Sequence, residues 1–145
     1  MSRFMSMAFE QAEAAAQRGE VPVGAVLVRD GVVLAADGNR VEQFSDPTQH
    51  AEMLVIRAAS PINGGKLDGC DLYVTLEPCP MCAAAISLAR IRRIYFGAYD
   101  PKGGGVEHGA KVFDHPTCHH RPEVFGGLDE SRAAELLRAF FRERR

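Results

Sequence analysis

Four residues of this sequence have the types and spacing to do chemistry. They are His50 and Glu52 in "DPTQHAEM" (46–53), and Cys79 and Cys82 in "LEPCPMC" (76–82). Thiolate and imidazole are good zinc ligands. Four protein ligands close a structural site, whereas three leave a position for water. Cys79 and Cys82 are three apart, so they share one face of a helix and sit in its first turn, where the dipole favours thiolates. Two thiolates, one neutral imidazole and a dication sum to zero charge. A water beside such a cation becomes far more acidic than bulk water, with a pKa falling toward ~7. Glu52 is then the group that moves protons, since one carboxylate can take a proton and later deliver it. The spacing raises one difficulty. Residues two apart on a regular helix do not share a face. His50 and Glu52 converge only if the metal sits over the first turn, or if Glu52 reaches the substrate side of the metal.

A closed structural zinc is the rival reading. "CHH" (118–120) offers Cys118 or a histidine as fourth ligand, which leaves Glu52 without a task. Otherwise Cys70 and Cys118 read as small buried residues. His108, His115, His119 and His120 receive no role.

The elements that position these residues follow from the pattern of the chain. A length of 145 residues suits one domain with a sizeable core, taken here as 1–145. Hydrophobic residues make up 46% and charged residues 25%, ordinary for a globular protein. No apolar run reaches the length of a membrane span, and the N-terminus lacks the apolar core of a secretory signal. A cytoplasmic protein with no membrane partner is expected. There a Cys-x-x-Cys pair means metal or redox chemistry rather than a disulfide. The formal net charge of −2 does not announce a nucleic-acid partner. Two basic clusters do exist: Arg90, Arg92 and Arg93, and a terminal segment (132–145) carrying five arginines against two glutamates. Solvated helix surface accounts for either on charge alone.

Phe4, Met7, Ala8, Ala12, Ala15 and Ala16 fall at helical spacing, ending at Gly19. "VPVGAVLV" (21–28) and "VVLAADG" (32–38) read as strands joined through Asp30-Gly31 in a hairpin. Asp46 as cap, Pro47 at the first position and Gln49 predict a helix start there, continuing through "HAEMLVIRAA". A third strand covers 70–76. Cys79 opens a helix with Pro80 in its first turn, running to Arg90. A fourth strand covers 93–99. Segment 106–125 holds a short helix and an edge segment. Asp129 caps a last helix with Leu136, Leu137, Phe140 and Phe141 on its apolar stripe. Strands alternating with helices predict an α/β fold with helices on both faces of a mixed sheet.

"HAE" followed by "PCPMC" resembles the H-x-E…P-C-x-x-C signature of zinc-dependent nucleoside and nucleobase deaminases. The surrounding segments "GEVPVGAVLV", "GNR", "LYVTLEPCPMCAAAI", "YFGAYDPKGGG", "HHRPEV" and "LLRAFFRERR" are similar to bacterial tRNA-specific adenosine deaminases, from about Phe4 to Arg145. That resemblance implies a three-layer α/β/α sandwich with a five-stranded mixed sheet, cytidine deaminase-like. It implies one Zn2+ per subunit on His50, Cys79 and Cys82, with Glu52 catalytic. Asn39, in "GNR", would hydrogen-bond the flipped base, and backbone near Glu77 and Ala83 would line its pocket. Asp100 would approach the nucleic-acid backbone. Phe140 and Phe141, with Arg142, Arg144 and Arg145, would lie near a tRNA anticodon loop. A homodimer, with both subunits forming the substrate groove, is implied too. The activity implied is hydrolytic deamination of adenosine to inosine at the wobble position.

The residues taken singly admit plainer roles. Asn39 can hold a turn, Asp100 before Pro101 is ordinary turn chemistry, and phenylalanines are core residues first. Sister families with the same zinc site act on free guanine or cytosine, and the −2 charge suits a free base. A zinc-stabilised binding module without catalysis is the reading from another class.

Overall fold

A computed structural model describes residues 2–144. Its sheet has five strands: β1 (Gly24–Arg29), β2 (Val32–Gly38), β3 (Cys70–Leu76), β4 (Arg93–Ala98) and β5 (Glu123–Phe125). The spatial order is β2-β1-β3-β4-β5. β1 runs antiparallel to β2 and β3, while β3, β4 and β5 run parallel, so the sheet is mixed as expected. Asp30 and Gly31 both take positive φ, 50° and 77°, the two-residue turn that matches the twist of a hairpin.

The helices are α1 (Arg3–Gln17), α2 (Val41–Phe44), α3 (Ala51–Ala59), α4 (Pro80–Leu88) and α5 (Glu130–Glu143). Alternation along β1 assigns its two faces. Val26 and Val28 pack with Ala8 of α1, while Ala25 and Leu27 pack with Val55 of α3 and Ile86 of α4. α5 joins α1 over Met5, Phe9 and Ala133. The result is three layers, with α1 and α5 on one face and α3 and α4 on the other. Gly24 and Gly38 face each other across the β1–β2 pair. A Cβ on either would strike a backbone carbonyl of α1, at Ala8 and Gln11 respectively. That close approach holds α1 against the strands that lead into the site.

Several boundaries differ from the sequence expectation. β1 starts at Gly24, not at 21, because Val23 closes a tight turn onto the Val21 carbonyl (2.8 Å). The short helix α2 was not expected. α3 starts at Ala51, not at Pro47. Asp46 does cap, but it caps a turn: its carboxylate accepts from Thr48 N–H (2.9 Å), Thr48 Oγ1 (2.7 Å) and the Gln49 side chain (2.9 Å). α4 stops at Leu88, and Arg90 turns left-handed at φ 62°. β4 ends at Ala98, leaving Tyr99 outside it. Asp129 sits at the cap position of α5 but at φ 53°, and its side chain makes no cap bond. Segment 106–125 holds one 3₁₀ turn, Val112–Asp114, and the edge strand β5. Among the described residues no helix is long and apolar enough to cross a membrane.

Candidate active site

Helix starts and strand ends converge on one cavity of about 660 Å³. β3 ends at Leu76, β4 leads into Asp100 and β2 leads into Asn39, while α3 and α4 point their N-termini inward. Open α/β sheets bind ligands at such a carboxyl-end crevice.

His50 is the N-cap of α3, in extended conformation (φ −77°, ψ 152°). Cys79 is the N-cap of α4 with Pro80 directly after it, and Cys82 follows inside the first turn. His50 Nδ1 lies 3.5 Å from Cys79 Sγ and 3.6 Å from Cys82 Sγ. The three donor atoms all fall within 4.8 Å of one another. A tetrahedral zinc with Zn–S of ~2.3 Å and Zn–N of ~2.0 Å spans an N···S edge of about 3.5 Å. The three side chains therefore fit zinc in both donor type and spacing. No further histidine, cysteine or carboxylate joins this group among the described residues.

The closed structural site is excluded by position. Cys118 lies on the other side of α4, with Ser87 Oγ at 3.4 Å and the His120 carbonyl at 3.2 Å. His120 Nε2 donates to the Ile91 carbonyl and His115 Nε2 to that of Ala110, both at 2.7 Å. Cys70 is buried in the core.

Glu52 is the second residue of α3, and the helix start resolves the spacing difficulty. His50 is extended outside the helix, so the two side chains need not share a helical face. Glu52 is 4% exposed and lines the cavity. Burial pushes its carboxyl from 4.5 up to about 7, in the range where a group both takes and gives protons. The two sulfurs differ. The Cys82 thiol, foremost, together with His50, pulls Cys79 down to about 4. Cys82 is pushed far up by the bond to Cys79 and by burial. His50 is raised, chiefly by its bond to Cys79.

Asn39 is buried and performs a task that the sequence did not show. Its Oδ1 accepts from Ala51 N–H at 2.8 Å, and its Nδ2 donates to the Val21 carbonyl at 3.1 Å. Ala51 N–H is an orphan donor at the start of α3. The cap of α3 thus comes from Asn39, twelve residues upstream, rather than from Asp46. Asp100 lines the cavity, and its carboxylate accepts from Gly103 N–H at 2.9 Å. Glu77 lines it too, whereas Ala83 is in the core and does not.

The terminal helix divides its residues by helical geometry. Phe140 and Arg144, four apart, share a face and reach the cavity, with the guanidinium 3.7 Å over the ring. Phe141 and Arg142 are rotated away and exposed, and Arg142 pairs with Glu135 at 2.9 Å. Arg145 lies outside the described residues. Two arginines of the basic cluster near β4 are also paired, Arg92 with Asp71 and Arg93 with Glu123. Sequence reasoning missed Glu20, a buried carboxylate in the cavity wall whose oxygens accept from Glu42 and Gln43 N–H (both 2.9 Å). One signal was present. An acid directly after a helix end opposes the dipole and must be held by something else.

Residues 1–98 match the family described as the cytidine and deoxycytidylate deaminase zinc-binding region. The tRNA-specific adenosine deaminase of Agrobacterium fabrum is 59% identical over 99% of this chain and 95% of its own. A solved structure from studies of A-to-I editing by tRNA:A34 deaminases superposes with TM-score 0.91 and 58% identity. That match covers 94% of this chain and all of that one. The guanine deaminase of Bacillus subtilis superposes less well, with TM-score 0.66 and 32% identity over 99% of this chain and 94% of that one. The donor triangle, the buried glutamate beside it and these likenesses agree: the chain belongs to the zinc-binding cytidine and deoxycytidylate deaminase family, in its tRNA-specific adenosine deaminase branch.

Proposed function

We propose that this chain hydrolyses adenosine to inosine at the wobble position of tRNA, releasing ammonia. The observation that carries the chemistry is the His50–Cys79–Cys82 triangle with Glu52 buried beside it in one cavity. His50, Cys79 and Cys82 hold zinc, which when bound supplies a Lewis acid that makes a water acidic near neutral pH. Glu52 accepts the proton of the attacking water, delivers one to the ring and helps the C6 amino group leave as ammonia. Asn39 keeps one N–H and one oxygen lone pair beyond its two structural bonds, and these bind the edge of the base.

The base must leave its stack to enter the cavity, which costs least in a single-stranded loop. The Phe140 ring and the Arg144 guanidinium offer a stacking surface and a positive charge for an anticodon loop. Phe141 and Arg142 extend that surface outside the cavity, and Asp100 approaches the nucleic-acid backbone at the rim. We read the 145 residues as one deaminase domain, working as a cytoplasmic homodimer with one zinc per subunit and no membrane partner.

A binding module has no use for Glu52, a carboxylate buried at a cost and raised to about 7. The free-base reading draws on the likeness to guanine deaminase and on the −2 charge. One experiment separates the readings. Ammonia release is measured with a tRNA anticodon stem-loop carrying adenosine at the wobble position, beside free adenosine, cytidine and guanine. Release from the stem-loop alone is expected. Turnover of a free base with the stem-loop untouched keeps the zinc chemistry and discards the tRNA substrate. No turnover of any of them favours the module.

A further inference from the structure

Glu77 is a buried acid for which the proton chemistry has no use. It is 2% exposed and lies outside the donor triangle. Its carboxylate instead collects five hydrogen bonds from one loop. Oε1 accepts from Asp100 N–H and from His108 Nδ1, both at 2.9 Å. Oε2 accepts from Val106 N–H (3.2 Å), Glu107 N–H (2.9 Å) and His108 N–H (3.1 Å). Bonds to an ionised acceptor are the strong kind, and here they replace the regular ladder that the loop lacks. The glycines of the loop make this possible. A Cβ on Gly104 would lie 2.5 Å from Glu77 Oε2, and one on Gly105 would lie 2.5 Å from Pro80 N. Gly105 N–H also donates to the Pro78 carbonyl at 2.8 Å. The loop is thereby clasped over the turn that carries Cys79, and it presents Asp100 and Gly103 to the cavity.

We propose that Glu77 is a positioning residue for substrate: it folds loop 100–108 into the cavity wall and so sets how the nucleic acid seats, without touching the reacting atoms. His108, which adds the only side-chain bond of the five, acts through Glu77. The inference takes its substrate, but not its geometry, from the tRNA reading above.

The test uses the zinc-loaded full chain as wild type, Glu77→Gln and His108→Ala. Glutamine turns one acceptor oxygen into a donor and leaves facing N–H groups unpartnered. Three quantities are read: bound zinc, amide hydrogen exchange across loop 100–108, and kcat and KM on the anticodon stem-loop. Glu77→Gln should keep its zinc, exchange the Val106, Glu107 and His108 amides about tenfold faster, and raise KM about tenfold with kcat little changed. His108→Ala should move exchange and KM the same way by less. Unchanged loop exchange overturns the proposal, and so does a fall in kcat at constant KM. If Glu77→Gln does not fold, His108→Ala decides, and wild-type exchange with wild-type KM in that variant overturns it. If the wild type leaves the stem-loop untouched, the tRNA reading fails while the exchange measurement still judges the loop.

Discussion

Replacing Glu52 by glutamine should make the metal-free protein more stable, and the gain should depend on pH. The carboxyl is buried, and its pKa rises from 4.5 to about 7 on folding. A raised acid binds its proton more tightly in the folded state. Stability is therefore undiminished below pH 4.5, falls as pH climbs toward 7, and is lowest above that. Each pH unit of displacement is worth ~1.4 kcal/mol, so the ionised carboxylate costs about 3 kcal/mol at pH 8 and about 1 kcal/mol at pH 5. Glutamine has nearly the same shape and no charge to bury. Urea unfolding of the metal-free wild type and Glu52→Gln at the two pH values measures both gains. Zinc should shrink the pH 8 gain, because a neighbouring dication favours the carboxylate. An equal gain at pH 5 and pH 8, or a loss of stability at pH 8, would refute the reasoning. Such a residue lowers the stability of the fold for the sake of its chemistry, as functional sites do.

Zinc uptake by the metal-free protein should release about two protons at pH 7, one from Cys82 and the rest from His50 and Glu52, and affinity should drop below neutral pH. Calorimetry in two buffers of different ionisation heat counts those protons. Cys118→Ala should bind one zinc as the wild type does, and loss of zinc there would return the closed site to contention. Asn39→Ala strands the buried Ala51 N–H and leaves the Val21 carbonyl with Val23 N–H alone, and should cost about 1–3 kcal/mol in urea unfolding while lowering turnover. Gly104→Ala drives a methyl against Glu77 Oε2 and the Asp100 carbonyl and should cost about 1–3 kcal/mol, read as a lower thermal midpoint.

The metal site was legible because its signal is local. Cys79 and Cys82 sit three apart behind a proline, and that spacing dictates a shared helix turn wherever the rest of the chain goes. The hairpin was legible for the same reason, since Asp30-Gly31 sets its own geometry. The start of α3 was not. Asp46, Pro47 and Gln49 form a good start signal, but the Asp46 carboxylate closes a turn on Thr48 and Gln49 before any helix begins. The true cap, Asn39, reaches Ala51 only through tertiary folding, which no window of sequence reports. The walls behave likewise. Glu20 binds a helix 22 residues on, and Glu77 binds a loop up to 31 residues on. On α5 the apolar stripe put Phe140 and Phe141 together, yet only Phe140 shares the cavity face with Arg144.

The central claim is that a zinc triangle and one buried glutamate deaminate a flipped adenosine. Its most direct test is inosine at the wobble position of the anticodon stem-loop, measured with wild type and Glu52→Gln at equal bound zinc. The account predicts inosine with the wild type and a rate lower by a factor on the order of 10²–10⁴ with Glu52→Gln. Inosine from Glu52→Gln at the wild-type rate, with zinc retained, would contradict it.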